Sequence, residues 1–513
     1  MTTATLKPLP LADTTVLEDG VPPPHLVEPI VVKAERLRSL DIFRGATIAA
    51  MIMVNNMADP KYTPLEHAEW NGWTFTDLIF PFFLFIVGVA IPFSFARRTV
   101  TTQPTRGQML ARVWLRALSL WMLGELLFAW PMPMTKALPD GFWGYKTLRI
   151  ACFVFVYASL FALLIPWKWR RVQLLLPPIV AVLFYVLLVI VHYTEKHVAA
   201  AGWDAGFGGG IFNPTNLRIP GVLQRIGIVY GVAGTIALFV GWRTIIAAIV
   251  ILCALYATLM LKVPYGPEHK AGSLTFEDNL ARYVDETVFD RYTVDADGKR
   301  VYTQRHTYNH YPDNEGLLST IPAICTSLLG ILVGTWLRRP DRTTTERAAG
   351  LLAMGMPVLI LGSLLNWWLM PINKILWTPS YVLYTGGLAM LCLGFLFWLV
   401  DVLGWRRWAL PFVIFGMNAI AAYVAASIVP KMLNLIKLHG PGPEDKPIGV
   451  YAWLREHYTY GIQHGSDWVT NLNSHMPVIA TPMNMTLANS LCLVLVVWLL
   501  MALLYVCRIF VKV

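Results

Sequence analysis

Apolar residues run along this chain in long stretches separated by short polar interruptions. A helix crossing the roughly 30 Å hydrocarbon layer of a bilayer needs about 20 such residues, and about twelve stretches reach that length. They begin near Leu40, Trp73, Leu110, Leu148, Val172, Ile219, Arg243, Gly316, Gly350, Ser380, Trp408 and Leu487. The pattern predicts an all-α polytopic membrane protein with about twelve transmembrane helices.

The interruptions differ in kind. Between the first two stretches lies Pro64 to Thr74, PLEHAEWNGWT, which sets one histidine, His67, between two lipid-spanning helices. The helix before it carries Asp41 and Arg44 at one end and Asn55 and Asn56 at the other, and the helix after it opens with Asp77. Two polar segments are much longer, 264–315 and 431–486, and are rich in Tyr, His, Asp and Asn, as expected of outer loops that cap a cavity. Residues 1–35 are Pro-rich and polar and read as a disordered cytoplasmic tail ahead of one membrane domain, 36–513.

Composition agrees with this class: 56% of residues are hydrophobic, 14% are charged, and the mean hydropathy is +0.54. The formal net charge of +10 would point to nucleic acid in a soluble protein, but here its placement follows the excess of Lys and Arg in short cytoplasmic loops. With Arg36 and Arg38 inside, Arg97, Arg98, Arg106, Arg243, Arg338, Arg339, Arg406 and Arg407 also fall inside, and so does Arg508. Both termini are then cytoplasmic and His67 faces outward. The expected location is a bacterial inner membrane.

All six cysteines lie within the apolar stretches, where small apolar packing is the usual role, so neither a disulfide framework nor a metal site is expected. His306 and His310 are four apart, but nothing marks their segment as helical, and Gly206 to Gly210, GFGGG, reads as a loop rather than a phosphate cradle.

Polar groups within a span are expensive and each has two readings. Asp41 and Arg44, at i and i+3, either pair with each other or contribute to an anion site in which Arg38, Arg44, Arg112 and Arg116 hold a phosphorylated ligand. Arg225 either makes a structural pair with an acid such as Glu125 or serves the reaction. Asp77 reads as an acid at a helix N-terminus. His67 alone is either an interfacial histidine or a catalyst.

Longer segments bear on that choice. RLRSLDIFRGATIAAMIMVNN, followed by HAEWNGWTFTDLIFPFFLFIVG, resembles the heparan-alpha-glucosaminide N-acetyltransferase family and its bacterial relatives. LRIPGVLQRIGIVYGV (Leu217 to Val232), DNEGLLSTIPAICTSLLGILVG (Asp313 to Gly334), INKILWTPSYV (Ile372 to Val382) and PFVIFGMNAIAAYV (Pro411 to Val424) are similar to further landmarks of that family, in the same order. The resemblance implies transfer of acetyl from cytosolic acetyl-CoA to an amino sugar across the membrane, with His67 and Asn55 catalytic and a homodimer as partner state. Imidazole, which titrates near pH 6.5, serves as base for the acceptor amine or as acetyl carrier, and an amide such as Asn55 donates to a developing oxyanion.

On this reading Arg38, Asp41, Arg44 and Arg225 bind the donor, no metal takes part, and Trp70, Asn71, Asp313, Glu315, Asn373 and Trp377 lie on the acceptor side. The chain departs from the animal pattern in two places. Residues 148–193 look like an extra helical hairpin added to a core of about ten helices, and the usual DPEG reads DNEG at Asp313 to Gly316. A large lumenal N-terminal part is also missing, so the expected acceptor is glucosamine or a glucosamine-ended oligosaccharide. The alternatives are O-acetylation of an envelope glycan and a secondary sugar transporter of about twelve helices.

Overall fold

A computed structural model describes residues 37–102, 104–128, 143–165, 170–200, 218–265, 271–294, 300–305, 313–439, 447–454 and 482–511. The tail 1–35, the glycine run 206–210, His306 and His310, and much of 431–486 lie outside the described residues.

A helix, or a broken pair of helices, stands at each apolar stretch. These are α1 (Arg38–Asn55), α2 (Phe75–Thr102), α3 (Arg106–Phe128), α4 (Trp143–Leu164), α5 (Arg170–Ala200), α6 (Val222–Phe239) and α7 (Trp242–Lys262). The short α8 (Leu280–Phe289) and the hairpin of β1 (Asp290–Val294) and β2 (Arg300–Arg305) follow within the first long loop. Then come α9 (Thr320–Leu337), α10 (Thr344–Trp368), α11 (Pro379–Phe397), α12 (Leu410–Met417) and α13 (Ala419–Leu433). A small antiparallel pair, β3 (Lys437–His439) with β4 (Pro447–Gly449), precedes α14 (Pro482–Val506).

The chain is a predominantly helical, multi-pass membrane protein. Eight helices among the described residues are long and apolar enough to cross a bilayer, or up to nine if α12 and α13, bent by 72° at Asn418, make one span. α1 and α3 fall below that level of apolarity because they carry Asp41, Arg44, Arg112, Arg116 and Glu125.

Burial sorts the helices. The membrane-length part of α9 is 72% buried, against 22% for α10 and for α14 and 28% for α5 and for α7, so α9 is central and the others expose broad apolar faces. Such faces suit lipid, since hydrocarbon provides no drive to cover them. α4 and α5 pack on α3 and on each other.

Without a hydrophobic force between helices, close packing depends on small residues where backbones cross. Gly45 on α1 meets α12 so tightly that a Cβ there would sit 1.8 Å from the Phe412 carbonyl oxygen, and one on Gly416 would sit 1.8 Å from that of Asp41. α2 and α9 cross in the same way at Gly88 and Gly330, where an added Cβ would be 2.0 Å from the Ser327 oxygen and 2.2 Å from the Phe85 oxygen. Backbone cannot yield as a flexible side chain does. Gly330→Ala and Gly416→Ala are each expected to destabilise the protein by about 1–3 kcal/mol, the usual cost of overpacking. Gly107→Ala, which meets only the Thr105 hydroxyl at 4.0 Å, is expected to leave the melting temperature in detergent unchanged.

Candidate active site

Asp77, in the first turn of α2, organises the segment around His67. Its side chain is buried, and one carboxylate oxygen accepts the backbone N–H groups of Ala68 at 3.0 Å and Thr74 at 3.1 Å, together with the Thr74 hydroxyl at 3.2 Å. The other oxygen lies 2.7 Å from His67 Nδ1 and 3.2 Å from Lys374 Nζ. Lys374 Nζ is also 3.0 Å from His67 Nδ1. The tautomer that satisfies all three groups has Nδ1–H donating to Asp77 and the Lys374 ammonium donating to the same oxygen. Nε2 then keeps its lone pair, on a ring whose side chain is 55% exposed.

Lys374 comes from the turn between α10 and α11, and that turn is knit by the buried Asn373. The Asn373 amide donates to the Trp70 carbonyl at 2.8 Å and to Asn71 Oδ1 at 3.3 Å, and its own oxygen accepts from Leu376 N at 2.9 Å. Trp377 closes the turn in the left-handed region, φ 54°, which a bulky residue rarely adopts. Its ring is fully buried edge-on against Phe80 and Tyr381, with Nε1 donating to Thr326 at 3.1 Å. Burial draws the Lys374 ammonium below its ordinary pKa, while Asp77 and Glu315 oppose that fall.

Opposite stands the loop 313–319. Arg218 Nη2 bridges Asp313 at 3.3 Å and Glu315 at 2.6 Å. Arg225 donates to the Gly316 carbonyl at 3.0 Å and to the Ser319 hydroxyl, with its guanidinium 5.3 Å from the centre of the Trp377 ring. From α8, buried Asp285 accepts the N–H groups of Leu317 at 2.9 Å and Asp313 at 3.3 Å. Burial pushes the Glu315 carboxyl above the usual carboxylate range, against the pull of Arg218. Burial also raises Asp285 to about 7, with Asp313 adding to the rise and Arg225 opposing it.

These pieces surround one end of a cavity of about 380 Å³. His67, Asn55, Lys374, Asn314 and Glu315 line that end, and Arg44, Arg116, Gly416, Met417 and Val511 line the other. The middle is apolar, with Ile48, Met51, Phe80, Phe83, Ile226 and Ile420 among its walls. Along α2 the lining runs from Thr76 to Ser94, about 27 Å at the helical rise of 1.5 Å per residue, which is close to the thickness of a hydrocarbon layer. Among the described residues no group of His, Cys, Asp and Glu is arranged to hold a metal ion.

The expected site residues divide on this frame. His67 and Asn55 share the cavity end, and Asn55 has no protein partner for its side chain among the described residues. Arg44 lines the far end while also pairing with Asp41 at 3.4 Å. Glu315 lines the cavity, whereas Asp313 and Asn373 are buried supports. Trp70 donates to the Leu274 carbonyl at 2.9 Å and packs on Phe276, and Asn71 lies beside it.

Three more of the expected residues lie outside the lining. Arg38 is exposed and outside the lining. Arg225 is buried outside the lining and clamps the 313–319 loop, and it makes no pair with Glu125, which lies beside Gln224. Trp377 is fully buried in the core. Sequence reasoning also gave Asp77, Arg218 and Asp285 no site role; an acid two residues into a helix that follows HxxWNG was the available signal for Asp77.

Comparison with known proteins bears on this cavity directly. Residues 36–203, which supply α1, His67, α2 and α3, match a family model described as heparan-alpha-glucosaminide N-acetyltransferase, catalytic. The chain is similar to heparan-alpha-glucosaminide N-acetyltransferase of Mus musculus, 27% identical over 437 residues covering 77% of the chain and 54% of that protein. To the Homo sapiens protein of the same name it is 26% identical over 439 residues, 77% of the chain and 53% of that protein. The chain thus spans about half the length of these curated relatives.

The buried Asp285 predicts a pH dependence of stability. Its folded pKa of about 7 lies above the ordinary value of 3.8, so the folded state holds the proton more tightly than the unfolded chain. Its contribution is fully present below the unfolded pKa and is lost as pH rises through 7, by at most about 1.4 kcal/mol per pH unit. Asp285→Asn is expected to flatten the fall in melting temperature between pH 5 and 8, measured in detergent.

Proposed function

We propose that this chain is a transmembrane acetyltransferase that takes the acetyl group of acetyl-CoA at the Arg44 end of the cavity and delivers it to the amine of an amino sugar at the His67 end. One observation carries the reading: a single cavity connects a basic mouth to a histidine held by a buried carboxylate, over about the thickness of a membrane. The match to a catalytic N-acetyltransferase family model covers three of the helices that build it, α1, α2 and α3. Twelve spans with both termini cytoplasmic, in a bacterial inner membrane, place the basic mouth inside and His67 in the periplasm.

The residues fit such a donor. Phosphates cannot cross lipid or an apolar wall without large cost, so they remain at the mouth beside Arg44 and Arg116. Arg116 stacks over the Tyr230 ring at 5.1 Å, and its buried Nε lacks a protein partner. The uncharged arm of the donor suits the apolar middle, and acetyl-CoA supplies the activated thioester.

At the outer end the acceptor ammonium must lose a proton before it attacks. His67 Nε2 takes that proton in a direct transfer, or takes the acetyl group in a two-step route, and either use needs the lone pair that Asp77 preserves by holding Nδ1–H. Asn55 is positioned at the same end to donate to the developing oxyanion. Asn314 and Glu315 face the acceptor side, where glucosamine or a glucosamine-ended oligosaccharide is the substrate class proposed.

The test uses protein in liposomes given labelled acetyl-CoA with and without glucosamine. Label is expected on the amine, absent in His67→Ala, and about 10²–10⁴-fold slower in Asp77→Asn, which disturbs the tautomer rather than removing the ring. Label on a hydroxyl would favour the O-acetylation reading. Sugar uptake that ignores acetyl-CoA would overturn the enzyme altogether. Arg44→Ala is expected to raise the acetyl-CoA concentration needed for half-maximal rate, at equal protein level.

A further inference from the structure

We infer that the segment Ile509–Val511 is a strap that forms one wall of the donor entrance, with Asn418 as the residue that positions it. The inference rests on the reading of the cavity as a donor conduit and adds to it a part of the chain beyond the segment, residues 36–203, that the catalytic family model matches.

The strap begins where α14 ends. Ile509 N donates to the Leu504 carbonyl at 2.8 Å and Arg508 N donates to that of Tyr505 at 3.1 Å, around Arg508 in the left-handed region at φ 56°. A bond from five residues on, closing over a left-handed residue, is the turn that reverses a chain at a helix C-terminus. It folds the backbone against the bundle.

Asn418 receives it there. This residue is fully buried at the 72° break between α12 and α13. Its amide nitrogen donates to the Ile509 carbonyl at 3.1 Å, and its oxygen accepts from Val511 N at 2.9 Å, so both functions of one side chain are used on the strap. A buried amide satisfied at both ends fixes its partner's register, because a shift by one residue leaves donor and acceptor unpaired.

The clamp is continuous with the basic mouth. Gly416, two residues before Asn418, lines the cavity, and its carbonyl accepts from Arg44 Nη1 at 3.3 Å. Val511 lines the cavity at the same end, with Arg44 and Met417. The mouth therefore presents an apolar side chain on the strap beside a guanidinium. An uncharged thioester arm can pass Val511, while phosphates stop next to Arg44. Val511 sets how close that approach is.

The test is equilibrium binding of CoA to the full-length protein in nanodiscs, with three substitutions that differ in charge at one position. Val511→Asp is expected to weaken binding by about tenfold or more, the effect of one unit charge close to phosphates near a surface. Val511→Asn, of the same shape without the charge, is expected to bind more tightly than Val511→Asp, and Val511→Lys more tightly still. Adding Asn418→Ala to the Asp and Lys variants is expected to erase the difference between them, since a freed strap no longer holds residue 511 at the mouth. Equal affinities for the Asp, Asn and Lys variants would overturn the strap assignment. Wild-type protein that binds no CoA would instead overturn the donor reading beneath it. The Asn and Lys variants keep the test open if the Asp variant fails to fold.

Discussion

The outer end of this protein depends on one buried carboxylate. Asp77 is almost without solvent contact, yet its oxygens gather donors from the His67 segment, from the start of α2 and from the α10–α11 turn. Its backbone carbonyl accepts the Tyr381 hydroxyl of α11 at 2.5 Å. A charge out of water is tolerable only when its lone pairs are met by good donors, and here each oxygen meets more than one. The result is an exposed imidazole with a rigid base. The loop that carries it has no regular structure beyond the short turn Thr63–Leu65, so the carboxylate does the work that secondary structure does elsewhere.

The same logic explains the turn carrying Lys374. A left-handed tryptophan and a lysine drawn below its ordinary pKa by burial are both unfavourable features, of the order of 1–3 kcal/mol for such backbone strain, and they occur together next to His67. Asn373, Thr378 and the Trp377 ring hold them in place. Residues that looked from the sequence like contacts for a sugar, Asn373 and Trp377, act one layer behind the surface. The group they deliver to the cavity is Lys374.

The sequence made the helices legible because run length is a local fact, whereas His67 and Asn55 were put together only by the resemblance of HAEWNG and MVN to a known family. Long-range partners left no such trace. His67 and Lys374 are 307 residues apart, and nothing local distinguishes Lys374 from a loop solubiliser. Helical phase would have separated Arg38 from Arg44, since six residues turn a helix through about 600°, placing the two side chains about 120° apart. Arg225 could not be placed by phase, because α6 packs against α2, α3 and α9 and offers no lipid-facing direction from which to count.

Division of labour among the helices follows from the solvent. α1, α2, α3, α6, α12 and α13 line the cavity, and three of them, α1, α2 and α3, fall within the segment matched by the catalytic family model. α5, α7, α10 and α14 bury a quarter or so of their length and contribute no described residue to the lining. α4 and α5 pack on the α3 flank and contribute no described residue to the lining. Because lipid exerts no hydrophobic force to close the inner helices around a cavity, glycine contacts must do so, and they stand at the α1–α12 and α2–α9 crossings. The first of these crossings also sets Gly416 beside Arg44, so the packing that holds the bundle together shapes the basic mouth as well.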